Sequence, residues 1–151
     1  MQRWIAAGIV TMMLFLGGGY YGYKTYKENK PSPMWVPLPI KPDLESAKRD
    51  EIIKDLKSKL SAPEVLVKVS QDLGLRQQWN LPTDEACAQT IGQRLFVRSG
   101  DAITEMGPVP AIHIGVNGTA KESQLSGKIA MRLMDDVWKI LGVPPPKKGD
   151  S

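Results

Sequence analysis

The chain has 151 residues, 20 Lys and Arg against 16 Asp and Glu for a net charge of +4, and 42% hydrophobic residues. That is enough for one ordinary domain, not two; a single cysteine and a single histidine exclude an intramolecular disulfide and a four-ligand Cys/His zinc site. Residues 1–30 carry +3, residues 41–75 are neutral and residues 76–151 carry +1, so the basicity flanks the amino terminus and no nucleic-acid face is expected on the folded part.

From Trp4 to Tyr23 no residue is charged, and Arg3 and Lys24 bound the stretch. As a helix it would be roughly 30 Å long, the thickness of a hydrocarbon core. Trp4 at one end and Tyr20, Tyr21, Tyr23 and Tyr26 at the other sit where interfacial aromatics belong. Residues 4–23 therefore read as a transmembrane helix in contact with membrane lipid. The competing reading is a cleaved signal peptide, with Trp4 to Leu16 as its apolar core and Gly17 to Gly19 near the cut. A lipoprotein anchor is excluded, because the only cysteine is Cys87. Lys24, Lys27 and Lys30 outweigh Arg3, which by the positive-inside rule would keep the bulk of the chain cytoplasmic. Gly18 and Gly22 are spaced to let two such helices approach closely.

Residues 24–34 read as a linker. Pro31, Pro33, Pro37, Pro39 and Pro42 bias the backbone to extended forms, yet Trp35, Val36, Leu38 and Ile40 are apolar, so Met34 to Ile40 is expected to lie on the domain as an edge strand. From Asp43 to Leu60 the positions Leu44, Ala47, Ile52, Ile53, Leu56 and Leu60 describe one stripe of a charged helix. Ser61 and Glu64 form a capping box for the next helix, whose stripe is Val65, Leu66, Val69 and Leu73 and which Gly74 ends. Thr83 caps a third helix to about Arg94, with Ala86, Cys87, Thr90 and Ile91 inward, and Cys87 reads as a small core residue.

Leu95 to Arg98 is a short strand, Gly100 to Pro110 a loop of about ten residues that could prolong it, and Ala111 to Val116 a second strand. In the latter, Ile112, Ile114 and Val116 share one face, and Asn117-Gly118 make a turn. The last helix, from about Ala120 to Leu141, steps Leu125, Ile129, Leu133, Val137 and Leu141 by four and stops at Gly142 before Pro144. The fold class is a small α/β (α+β) domain over residues 35–142, about three strands with three to four helices, after one transmembrane helix; residues 143–151 are a Pro-rich polar tail.

No phosphate loop, nucleophile elbow or spaced ligand set is present, and no catalytic, cofactor-binding or metal residue is nominated. His113 stands alone in its strand, Asp135 and Asp136 diverge by about 100° on a helix surface, and Arg76, Arg94 and Arg98 read as scattered surface arginines.

Two stretches carry a family resemblance. Ser61-Ala62-Pro63-Glu64-Val65-Leu66, continuing to Asp72-Leu73-Gly74-Leu75 and Trp79, and Val109-Pro110-Ala111-Ile112-His113-Ile114-Gly115-Val116 before the helix Lys121 to Leu141, together resemble the polysaccharide co-polymerase, or chain-length determinant, family. The resemblance covers roughly residues 5–141. It implies an inner-membrane protein with its α/β domain in the periplasm, against the lysine count, that self-associates and helps set the length or export of surface polysaccharide such as lipopolysaccharide. Members of that family continue the last helix into a long hairpin and a second transmembrane span, whereas here Pro144 to Pro146 interrupt it, which points to a reduced or accessory form.

The expectation is thus a single-pass, non-catalytic scaffold that contacts itself, a polysaccharide polymerase or an exporter, without cofactor. A ring-building α/β module of a secretion or envelope machine and a membrane-tethered enzyme using His113 remain as alternatives, as do a cytoplasmic-face domain and a secreted, signal-cleaved one.

Overall fold

In the computed structural model, residues 21–105 and 107–143 are described. Most of the span, including Gly18, and the tail from 144 to 151 lie outside them; among the described residues no helix is long and apolar enough to cross a membrane. Residues 21–28 are helical (α1). Then follow β1 (Met34–Pro39), α2 (Ser46–Leu60), α3 (Pro63–Leu73), α4 (Leu75–Gln78), α5 (Asp84–Arg94), β2 (Leu95–Thr104), β3 (Gly107–Val116), a 3₁₀ turn (Ala120–Glu122) and α6 (Ser123–Leu141).

The three strands form an antiparallel sheet in the order β1-β3-β2. Helices cover one face of it, so the domain is a two-layer α/β body with three strands. On the covered face Val36 and Leu38 of β1, Ile112, Ile114 and Val116 of β3, and Leu95 and Val97 of β2 stand in register and meet Leu56 and Leu60 of α2, Leu66 and Val69 of α3, Ile91 of α5, and Ile129, Leu133 and Val137 of α6 in one core. Helix periodicity explains each contribution: residues three and four apart share a face.

The edge strand expected at Met34 to Ile40 is present. Ile40 donates its amide to the Pro110 carbonyl; by alternation the amides of odd-numbered β1 residues point away from β3, which is why Pro37 and Pro39 fit there without losing a ladder bond. Of the segment read as linker, residues 24–28 are helical, and its end is pinned to the domain: Ser32 N–H donates to Gly118, Ala120 N–H donates to Lys30, and Pro31 bridges Thr119.

Three local readings need correction. The loop expected over Gly100 to Pro110 is instead the far half of a long hairpin, with Asp101 opposite Pro110 and Thr104 opposite Gly107. Pro108 and Pro110 do not break it, because their nitrogens point to the β1 side, where β1 has already ended, and the ladder to β2 uses the odd-numbered residues of β3. The capping box is not formed: Ser61 closes α2 by donating its amide to Lys57, while Ala62 in extended backbone (φ −60°, ψ 130°) is the N-cap of α3. Pro63 at the first helical position imposes that geometry on Ala62 and moves the helix start past Ser61. Finally, α2 begins at Ser46 rather than Asp43; Ala47 is exposed, and Arg49 is the half-buried residue, its Nη1 donating to Ser99 Oγ at 3.4 Å.

Other expectations hold. Thr83 Oγ1 accepts from Ala86 N–H at 3.2 Å and caps α5, and Gly74 and Gly142 end α3 and α6 with φ of 60° and 66°, the left-handed region where glycine is unstrained.

Candidate functional site: the open sheet face

The second face of the sheet carries Trp35, Pro37 and Pro39 from β1, His113 and Gly115 from β3, and Phe96, Arg98 and Gly100 from β2, the residues alternating with those of the core. Trp35 remains 43% exposed, and Pro37, Pro39 and Arg98 are exposed. Four side chains stack there across three strands. The Trp35 and His113 rings lie 5.5 Å apart and 19° from parallel. The Arg98 guanidinium sits over both aromatic rings, 4.8 Å from the centroid of Phe96 and 5.7 Å from that of Trp35, a cation–π arrangement worth about 0.5–1 kcal/mol per contact at an exposed site.

Two glycines make this packing possible. A β-carbon at Gly100 would lie 2.4 Å from His113 Cε1, so the imidazole lies flat across that glycine. A β-carbon at Gly115 would lie 2.1 Å from the Met34 carbonyl oxygen and 2.7 Å from Trp35 Cβ, so β1 and its tryptophan approach closely only because Gly115 has no side chain.

His113 has its chemistry constrained by this position. Its Nε2 donates to the Asp101 carbonyl at 2.9 Å, which selects the Nε2–H tautomer of the neutral ring. The structure therefore places His113 in a stack rather than beside a carboxylate.

The remaining singled-out residues are dispersed. Cys87 is fully buried in the core. Asp135 is exposed as expected, but Asp136 is not a surface residue: it is 9% exposed and pairs with Arg132 at 2.8 Å and Lys139 at 3.3 Å. Arg132 also bonds Asp72 of α3 at 2.7 Å, tying α6 to α3. Burial opposes the charge on Arg132, but hydrogen bonds to Asp136 and Asp72, with the two carboxylate charges, outweigh it and hold its pKa above the ordinary value. Arg76 is exposed on α4. Arg94 is no scattered surface charge: it pairs with Glu122 at 3.0 Å and lies 5.2 Å from the Trp79 ring centroid. Arg98 likewise belongs to the stack. Among the described residues no three His, Cys, Asp or Glu side chains group as metal ligands.

Strand alternation finds the two faces, but the stack joins residues 35, 96, 98 and 113, and only their register reveals it. The signal in the sequence is indirect, namely glycine within strand-like runs at 100 and 115. Comparison with family models, with curated proteins and with solved structures gives no match for this chain.

Proposed function

We propose that the protein is a membrane-anchored, non-catalytic scaffold of surface-polysaccharide chain-length control or export, working by contact between its open sheet face and a second copy or a polymerase or export partner. The observation that carries the contact reading is the Trp35–His113–Arg98–Phe96 stack, which presents aromatic surface and one cation on a face that none of the described helices covers. Aromatic residues and arginine are the side chains that most often anchor protein interfaces. The polysaccharide role is supported by the resemblance, and the order edge strand, helix ending in Leu-Gly-Leu, strand of alternating isoleucines and last helix is consistent with it.

The test uses the full chain in its membrane. A reporter fused after Ser151 and active only in the periplasm is the expected topology. Trp35→Ala combined with Arg98→Ala is expected to lower the melting temperature by only a few degrees, abolish cross-linked self-association or partner capture, and alter the polysaccharide length distribution as deletion of the gene does. Wild-type association and length distribution in the double variant would sink the reading.

A further inference from the structure

The end of the domain where the tether attaches holds a second feature, a cleft of about 700 Å³ between the end of α1, the end of α4 and the first turns of α6. Lys121 lines it from the 3₁₀ turn and Lys128 from α6, together with Arg94, Trp79, Gln124 and Asn29. Glu122 is its one carboxylate, already paired with Arg94 and accepting from Thr119 Oγ1. Lys121 and Lys128 are exposed and have no carboxylate partner among the described residues. The indole Nε1 of Trp79 is buried with no hydrogen-bond acceptor among the described residues, although a buried donor is ordinarily satisfied. No side chain caps the first turn of α6. The cleft is therefore cationic, and one of the residues that line it carries a donor without its acceptor.

Its place in the fold narrows the ligand. This inference rests on the proposed membrane crossing of residues 4–23. From Tyr23, where that crossing would end, to Asn29 at the rim of the cleft, α1 gives about 9 Å of helix. The polar layer of a bilayer is of similar depth, about 5–8 Å on each side of the hydrocarbon. Hydrogen bonds from Ser32 to Gly118 and from Ala120 to Lys30 fix the cleft to the end of the tether. We propose that this cleft binds the phosphate of a lipid headgroup, with Lys121 and Lys128 supplying charge and Trp79 Nε1–H donating to a phosphate oxygen. The headgroup would orient the domain on the membrane and so fix where the open sheet face points.

The experiment follows the Trp79 indole N–H resonance of the full chain, ¹⁵N-labelled in an uncharged maltoside detergent, during titration with dihexanoyl phosphatidylglycerol, glycerol phosphate and inorganic phosphate; Trp79→Phe assigns the peak. A saturating shift with the short-chain lipid is expected. Lys121→Gln with Lys128→Gln should raise the half-saturation concentration about tenfold, with an unchanged melting temperature because both side chains are exposed. Saturation by glycerol phosphate or inorganic phosphate at the same concentrations would uphold the phosphate site and assign it to a soluble ligand, overturning the lipid source. No saturation by any of the three, or equal binding by the double variant, would overturn the site itself. Failure of the anchoring reading looks different: the chain would partition into the aqueous phase, or lack its first twenty residues, whatever the titration shows.

Discussion

β3 serves two faces that answer to different chemistry. Ile112, Ile114 and Val116 look toward α6 and the other helices and are at most 1% exposed, whereas Ala111, His113 and Gly115 alternate with them and look toward Trp35, Phe96 and Arg98 of the flanking strands. The first face is closed by elements distant in sequence, and its residues are interchangeable in kind: any apolar side chain of the right volume serves. The second is closed, among the described residues, by its own side chains, and each position there is specific, a glycine under a ring or a cation over one. An antiparallel sheet tolerates such a division because one face suffices for a core. The contrast puts most of the stability on the covered side and leaves the other free for the partner contact proposed above.

Mutations on the two sides should break that contrast in order of magnitude. Leu133→Ala, on fully buried α6 surface, should lower the unfolding free energy by about 3 kcal/mol in urea denaturation. Gly115→Ala introduces a β-carbon against the Met34 carbonyl; a loss of about 2 kcal/mol is expected, with faster amide exchange along β1, and normal exchange there would show that the close approach is not obligatory. Asp136→Ala leaves Arg132 with Asp72 alone and should cost about 2 kcal/mol. Because the Arg132 pKa is raised, its contribution is fully present below its unfolded value and lost only as pH climbs through the higher folded value. The stability difference between Arg132→Gln and wild type should therefore be flat from about pH 6 to 9. Thr83→Ala removes the α5 cap and should cost about 1 kcal/mol. Smallest in stability, and largest in partner contact, is Trp35→Ala with Arg98→Ala, expected to shift unfolding by about 1 kcal/mol or less because both side chains are exposed.

Much of the covered side was legible in the residues. Period-two and period-3.6 patterns located β1, α3, α5 and α6, since one buried face imposes a repeat that needs no knowledge of the partner. What escaped was set by relations between segments. Pro108 and Pro110 read as loop residues, because no local window shows that β1 stops short of them. Asp136 looked like helix surface, though Arg132 four residues earlier and Lys139 three later formed a readable charge pattern; its contact with α3 through Arg132 and Asp72 was not readable. The stack on the open face unites three strands, and no local window contains it.

The strand order has a consequence for synthesis. β1 leaves the ribosome early, yet β3, its neighbour in the sheet, is separated from it by four helices and another strand. Until residue 116 has emerged, β1 is an apolar ribbon with an unsatisfied edge, the kind of segment that captures a neighbouring nascent chain. Pro37 and Pro39 make its outer edge, the one that faces away from β3, a poor template, since each withholds a donor from any strand that tries to add there. Folding is delayed by topology, and the same prolines guard the edge that stays open after β3 has docked.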